Sequence, residues 1–283
     1  MAVLALRPGT PFDHFHYLVF CSLTREAAIV DPYDVSAVHA AVAANDLRLT
    51  TVINTHEHWD HAGRNSEMKA GGTIQIMAPR AAAGTLQPID RALEDGDRID
   101  IGHSVSLAVL ATPGHTMAHI SLGGRDGDTP FLISGDTLFA GGAGNCNYGG
   151  HAPVLFDTLA RKFGPLEGAT VLYPGHDYLA RNLRFAAHVE PSNPAVEELA
   201  SQLQATPPGQ LYFTTMEQER RINPFLRCSS PGLRQQLARL CPHLPAEANE
   251  REVFVALRHY RDQWADQDDH QSVAPQRATT VSQ

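Results

Sequence analysis

The chain has 283 residues, 43% of them apolar and 19% charged, which supports a buried core and excludes wholesale disorder. Acidic residues outnumber basic ones, 31 to 22, for a net charge of −9. That balance excludes a nucleic acid or an anionic membrane surface as the main partner.

Taken in chain order, the N-terminal stretch opens with a short apolar run whose only early cation, Arg7, follows it. It does not have the layout of a signal peptide. Tyr17–Ser22 and Glu26–Asp31 are expected to be strands around a turn, and Asp34 to cap a helix from Val35 to Ala44. Leu49–Asn54 reads as a buried strand running straight into His56-Glu57-His58-Trp59-Asp60-His61. A helix over Gly63–Ala70 and a strand over Thr73–Ala78 follow. Ser104–Ala111 and His119–Leu122 read as strands flanking Thr112-Pro113-Gly114-His115. Arg125–Asp128 reads as a hairpin turn, and Phe131–Ser134 as a strand ending at Gly135-Asp136. Thr170–Tyr173 is the last strong strand and ends at Pro174-Gly175-His176.

Beyond His176 the spacing turns helical, over Leu179–His188, Pro194–Gln204, Gly232–Leu240 and Asn249–Ala265. The expected division is an α/β domain over 1–175, a helical domain over 176–265 and a disordered polar tail over 266–283. No run approaches the about 18 apolar residues of a membrane span. Cys21, Cys146, Cys228 and Cys241 are scattered with no CxxC, so neither a disulfide scaffold nor a cysteine zinc site is expected. Only Lys69 and Lys162 are lysines, and no GxxxxGK[ST] occurs. A cytoplasmic setting is the expectation, with no membrane or nucleic-acid partner and a monomeric or dimeric state.

Chemistry concentrates in the fifteen histidines. His56, His58, Asp60 and His61 put four donors into six residues just after a strand. His115, Asp136 and His176 each follow a strand within a Gly-containing turn, and such turns aim side chains into a common cleft. Mixed imidazole and carboxylate donors suit zinc or a first-row redox metal. Seven donors are too many for one ion. His56, His58 and His115 are assigned to one metal, and Asp60, His61 and His176 to the other, with Asp136 bridging. Two divalent metals so placed make hydroxide available near pH 7 and act as a Lewis acid, which suits hydrolysis. Asp60 and Asp136 are therefore taken as catalytic as well as metal-holding. His119, four residues after His115, reads equally as a partner of the metal ligands or as a buried structural histidine. His14 and His16 read as surface or packing residues.

THEHWDHAG, TPGHTMAH, SGDTLF and YPGHDY, in this order and spacing, resemble the metallo-β-lactamase superfamily. Within it the chain is similar to glyoxalase II, the hydroxyacylglutathione hydrolases. Asn182–Ala186, His188–Pro191, Ile222–Arg227 and Arg258–Trp264 carry the similarity into the C-terminal helices. The resemblance implies an α/β fold of αββα sandwich type with the metals at one edge, followed by a helical domain that helps bind glutathione. It implies a small-molecule thioester substrate, Tyr148 and Tyr178 as substrate contacts, and Arg258 and Arg261 paired with the glycine carboxylate of glutathione. The Gly141–Gly150 loop carries no Lys or Arg at the basic position of the family. Zinc is the first choice of metal, with iron and manganese as alternatives. The expected activity is hydrolysis of a 2-hydroxyacyl glutathione thioester of the S-lactoylglutathione type. The rivals are a lactonase or a thioesterase for another thiol on the same scaffold and, behind them, a persulfide dioxygenase using one iron.

Overall fold

The computed structural model describes residues 2–265, apart from 11, 71 and 208. The tail expected over 266–283 lies outside the described residues. The first sheet is built from β1 (Ala2–Leu6), β2 (His16–Phe20), β3 (Glu26–Val30), β4 (Arg48–Ile53), β5 (Gln75–Pro79) and β6 (Arg91–Leu93), in that spatial order. Its first three strands pair antiparallel and its last four parallel. The parallel half needs crossovers. These are α1 (Val35–Ala44), and α2 (Trp59–Ala62) with α3 (Asn65–Ala70). Asp34 caps α1 as expected, accepting the Ala37 N–H at 2.9 Å.

The second sheet contains β7 (Arg98–Ile101), β8 (Val105–Ala111), β9 (Ile120–Asp126), β10 (Thr129–Gly135) and β13 (Val171–Pro174). Its order is β13-β10-β9-β8-β7, with only β10 and β13 parallel. Between them run the two-residue strands β11 (Leu138–Phe139) and β12 (Gly142–Ala143), then α4 (Ala152–Thr158). The C-terminal helices are α5 (Leu179–Val189), α6 (Pro194–Ala205), α7 (Met216–Ile222), α8 (Pro231–Leu240) and α9 (Glu250–Gln263).

Strand alternation explains the layering. Tyr17 and Val19 point between the sheets, where they meet Ile53, Leu107, Leu122 and Ile133 in one buried cluster. Leu18 and Ile29 point the other way, against Val38 of α1 and Met68 of α3. On the far side Leu132 and Leu172 pack on Leu155, Phe185, Leu233, Phe254 and Leu257. The result is an αββα sandwich whose outer layer on the second sheet is supplied by α4 and the C-terminal helices.

Five strands differ from the sequence expectation, among them the two-residue β11 and β12. β1 was read only as an apolar start, β6 has three residues, and β7 alternates Arg-Ile-Asp-Ile over four. The helix expected over Gly63–Ala70 starts earlier, at Trp59, and breaks at Gly63, where a Cβ would sit 2.4 Å from the Trp59 carbonyl oxygen.

Candidate metal centre

Every chemically active side chain stands where a strand ends. The loop after β4 carries His56, His58, Asp60 and His61. The turns after β8, β10 and β13 carry His115, Asp136 and His176. Cross-sheet bonds bring the two sets face to face. The Tyr17 hydroxyl donates to the Pro174 carbonyl at 2.6 Å, and the Phe15 N–H donates to the Gly175 carbonyl at 2.9 Å. Gly175 has no room for a side chain, since a Cβ would lie 2.2 Å from Asp136 Oδ1.

The seven residues gather into two linked groups. His56 Nε2 and His115 Nε2 each lie 3.1 Å from His58 Nδ1. His61 Nε2 lies 3.3 Å from His176 Nε2, and Asp60 Oδ2 lies 3.9 and 3.8 Å from these two nitrogens. Asp136 stands between the groups, 3.4 Å from His61 Nε2, 3.2 Å from His176 Nε2 and 3.6 Å from His115 Nε2.

The outward nitrogens decide what the inward ones offer. His115 Nδ1–H donates to the Asn145 carbonyl at 2.7 Å, His58 Nε2–H to the Tyr148 carbonyl at 3.1 Å, and His176 Nδ1–H to the Phe12 carbonyl at 2.8 Å. His61 Nδ1–H donates to Asp31 Oδ2 at 2.9 Å. The Thr55 hydroxyl spends its proton on Asp31 Oδ2 at 2.6 Å, so it accepts from His56 Nδ1–H at 2.9 Å. All five rings therefore turn a lone pair inward. Lone pairs cannot hydrogen-bond to each other, and Asp136 Oδ1 is buried with no hydrogen-bond partner. Donors about 2.1 Å from a tetrahedral cation stand about 3.4 Å apart, the spacing found here. The donor set fits two divalent cations.

Electrostatics agree. Burial holds His115 down to about 4 and lowers His56, so both are neutral donors at pH 7. Burial opposes charge on His61 as well, but Asp136, Asp31 and Asp60 outweigh it and raise that imidazole. The same carboxylates favour a divalent cation, which takes the lone pairs in place of protons. Asp136, despite its burial, is held well below the usual carboxylate range by His176 and His61.

Several neighbours were missed or undervalued in the sequence. Asp31, at the end of β3, has φ +50° and points its buried carboxylate at Thr55 and His61. His14, read as surface or packing, is buried, and its Nε2–H donates to Asp60 Oδ2 at 3.1 Å. His119 accepts the Asp136 N–H at 3.1 Å. Of these, only His119 is signalled in the sequence, by its spacing four residues after His115.

The expected substrate residues divide. Tyr148 is exposed, and Tyr178 stacks on His176 with ring centroids 4.8 Å apart. Burial pushes the Tyr178 phenol above its usual range, so it remains a hydroxyl donor. Arg261 is half-buried over Phe185 and Trp264. Arg258 lies deeper than Arg261. It is buried, its Nη1 and Nη2 donate to the Ala143 and Gly144 carbonyls and to Asp262, and its Nε has no hydrogen-bond partner.

Residues 18–183 match the metallo-beta-lactamase superfamily, and residues 177–264 match the hydroxyacylglutathione hydrolase C-terminus. A hydroxyacylglutathione hydrolase of Polaromonas sp. strain JS666 is 40% identical over 264 residues, covering 93% of this chain and 100% of the relative. This chain belongs to the hydroxyacylglutathione hydrolase family. A cytoplasmic hydroxyacylglutathione hydrolase of Arabidopsis thaliana is 33% identical, covering 89% of this chain and 95% of that one. Among solved structures, ETHE1 from Myxococcus xanthus superposes with a TM-score of 0.64 at 25% identity, over 92% of this chain and 98% of its own. For a hydroxyacylglutathione hydrolase the described architecture is as expected, the αββα sandwich with C-terminal helices over its second sheet. Among the described residues no helix is long and apolar enough to cross a membrane.

Proposed function

We infer that this chain hydrolyses a 2-hydroxyacyl thioester of glutathione, of the S-lactoylglutathione type, at a site for two divalent cations. The supporting observation is the inward convergence of five imidazole lone pairs and two carboxylates in a chain of this family. Water adds across the thioester, giving the hydroxy acid and the thiol. When bound, the cations supply Lewis acidity at the acyl oxygen and a nucleophile ionised near neutral pH.

The chain's own groups orient and enclose. Asp31 and the Asn145, Tyr148 and Phe12 carbonyls fix the direction of the rings, and His14 directs Asp60. Asp136 serves both halves of the site. His56, His61, His115 and His176 are buried, whereas His58 is half-exposed beside exposed Trp59 and Tyr148. The substrate therefore enters on the His58 side, where Tyr148 and Tyr178 are its proposed contacts. The leaving thiolate has a low pKa and departs without a dedicated acid.

Zinc is the proposed cation, since the mixed nitrogen and oxygen donors suit it, with iron and manganese as alternatives. A cytoplasmic monomer or dimer is the proposed setting. The test is turnover of the purified protein on S-lactoylglutathione beside coenzyme A thioesters and lactones, with metal analysis and an oxygen electrode. Two metals per chain, preference for the glutathione thioester and no oxygen uptake are expected. Preference for a lactone or another thiol, or oxygen consumption, overturns the reading.

A further inference from the structure

The two halves of the centre are not enclosed alike. In the half at Asp60, His61 and His176, the two imidazoles are 0% and 4% exposed, whereas the Asp60 side chain is 17% exposed and is the donor that water reaches. Its Oδ2 accepts the Nε2–H of His14 at 3.1 Å, and the His14 side chain is fully buried. The Nδ1 of His14 is buried with no hydrogen-bond partner. A proton at Nδ1 would make a buried, unpaired donor, so the proton stays on Nε2, facing Asp60. The ring is clamped in that pose. Tyr33 stacks on it with centroids 5.3 Å apart, the Phe12 ring meets it edge-on at 5.5 Å, and the His176 ring lies 4.3 Å away. His16 secures Tyr33 in turn, its Nε2 accepting the Tyr33 N–H at 3.4 Å and the Asp34 N–H at 3.2 Å. Main-chain bonds fasten the segment on either side of His176. The Phe15 N–H donates to the Gly175 carbonyl and the Asp177 N–H to the Asp13 carbonyl, both at 2.9 Å. The outward bonds of His56, His58 and His115 run elsewhere, to Thr55 and the Gly-rich loop.

We propose that His14 is a positioning residue for one cation position alone, that of Asp60, His61 and His176. Its N–H keeps Asp60 Oδ2 facing the two imidazole nitrogens and stops the carboxylate from turning out to water. The proposal rests on the two-cation reading of the site. His14 could in principle be a donor itself, since its ring and the donor atoms of Asp60, His61 and His176 all lie within 4.8 Å of one another. The tautomer opposes that role, because ligation through Nε2 would send the proton to the unpartnered Nδ1. Positioning and ligation predict different outcomes for glutamine at this place. Its amide N–H can replace the imidazole N–H toward Asp60, but it brings no imidazole nitrogen to a metal.

The test uses the full chain, as wild type, His14→Phe, His14→Gln, His58→Ala and the His14→Phe, His58→Ala double variant. Each metal-free protein is titrated with cobalt(II), followed by its visible absorption. The wild type is expected to bind two equivalents. In His14→Phe one equivalent is expected to bind about 10- to 100-fold more weakly, with the other within about twofold of wild type. The weakened equivalent is expected to be the one that His58→Ala spares, so that the double variant loses both. His14→Gln is expected to return to within about threefold of wild type, with the wild-type cobalt spectrum. If His14→Phe does not fold, Tyr33→Leu, which frees the imidazole ring and keeps the Tyr33 N–H, carries the test with a smaller loss in the same equivalent. An unchanged titration in the variant that is read overturns the proposal. Equal weakening of both equivalents, or loss of the equivalent that His58→Ala also loses, overturns it as well and leaves the two-cation reading standing. A His14→Gln protein that stays weak and has altered cobalt bands makes His14 a ligand and overturns its positioning role. Wild-type protein that binds fewer than two equivalents overturns the two-cation reading, and the proposal with it.

Discussion

Asp31 Oδ2 accepts from His61 Nδ1 at 2.9 Å and from the Thr55 hydroxyl at 2.6 Å, and that hydroxyl in turn holds His56. One carboxylate thus aims an imidazole in each half of the metal centre. Asp31→Ala is expected to lower metal affinity and kcat by about 10- to 100-fold. Thr55→Val, which frees only His56, should cost less. Metal content after dialysis against a weak chelator, read beside kcat, checks both. An Asp31→Ala protein with full metal content and full activity would remove Asp31 from the centre.

In the proposed assignment Asp136 serves both cation positions and His58 only one. Asp136→Asn and His58→Ala are each expected to reduce hydrolysis at least about a hundredfold, with metal content falling alongside. Elemental analysis distinguishes the two variants. Asp136→Asn should weaken both equivalents and His58→Ala mainly one. Full activity in metal-free Asp136→Asn protein would end the two-cation mechanism.

Gly175→Ala places a methyl group 2.2 Å from Asp136 Oδ1 in the unrelaxed structure. Something must shift, and the nearest atoms are the Asp136 carboxylate and the His61 ring. The expected outcome is loss of metal and of activity with only a modest change in Tm of the metal-free protein. Calorimetry with and without metal tests it, and a variant with unimpaired metal binding would show that the turn relaxes elsewhere.

Glu219 is fully buried against Gly141 and Asn223, and burial pushes its carboxyl up to about 7 despite those bonds. Between its unfolded value of 4.5 and about 7, the folded chain holds a proton that the unfolded chain lacks. The stabilisation is full below 4.5 and is lost as pH rises through about 7. It amounts to at most about 3 kcal/mol. Glu219→Gln should flatten that decline, and its difference from wild type cancels the metal contribution common to both. Denaturant unfolding of the two proteins at pH 5 and pH 8 is the measurement. Parallel declines would place the titrating group elsewhere.

The legible parts of this molecule were those written in side chains at strand ends. His56, His58, Asp60 and His61 follow β4 directly, and short glycine turns announce His115, Asp136 and His176. α1 and β4 were legible for the same local reason, a cap and a β-branched apolar run. The illegible parts lie in the backbone and in distant pairs. A carbonyl such as that of Asn145 leaves no trace in residue type. Asp31 sits 30 residues before the ring that it orients. An arginine's place in the sequence likewise does not say what its guanidinium touches, and the bonds from Arg258 to the Ala143 and Gly144 carbonyls appear only in the fold.

Each half of the metal centre takes two donors from the loop after β4, in the first sheet, and one from a turn of the second sheet, with Asp136 of the second sheet joining the halves. A bound cation is therefore a rivet through the sandwich. Neither sheet alone can present a complete donor set, so tight loading comes after the two sheets have docked. Once loaded, the protein must release its metal before the sheets can separate, and its resistance to unfolding will scale with the free metal concentration.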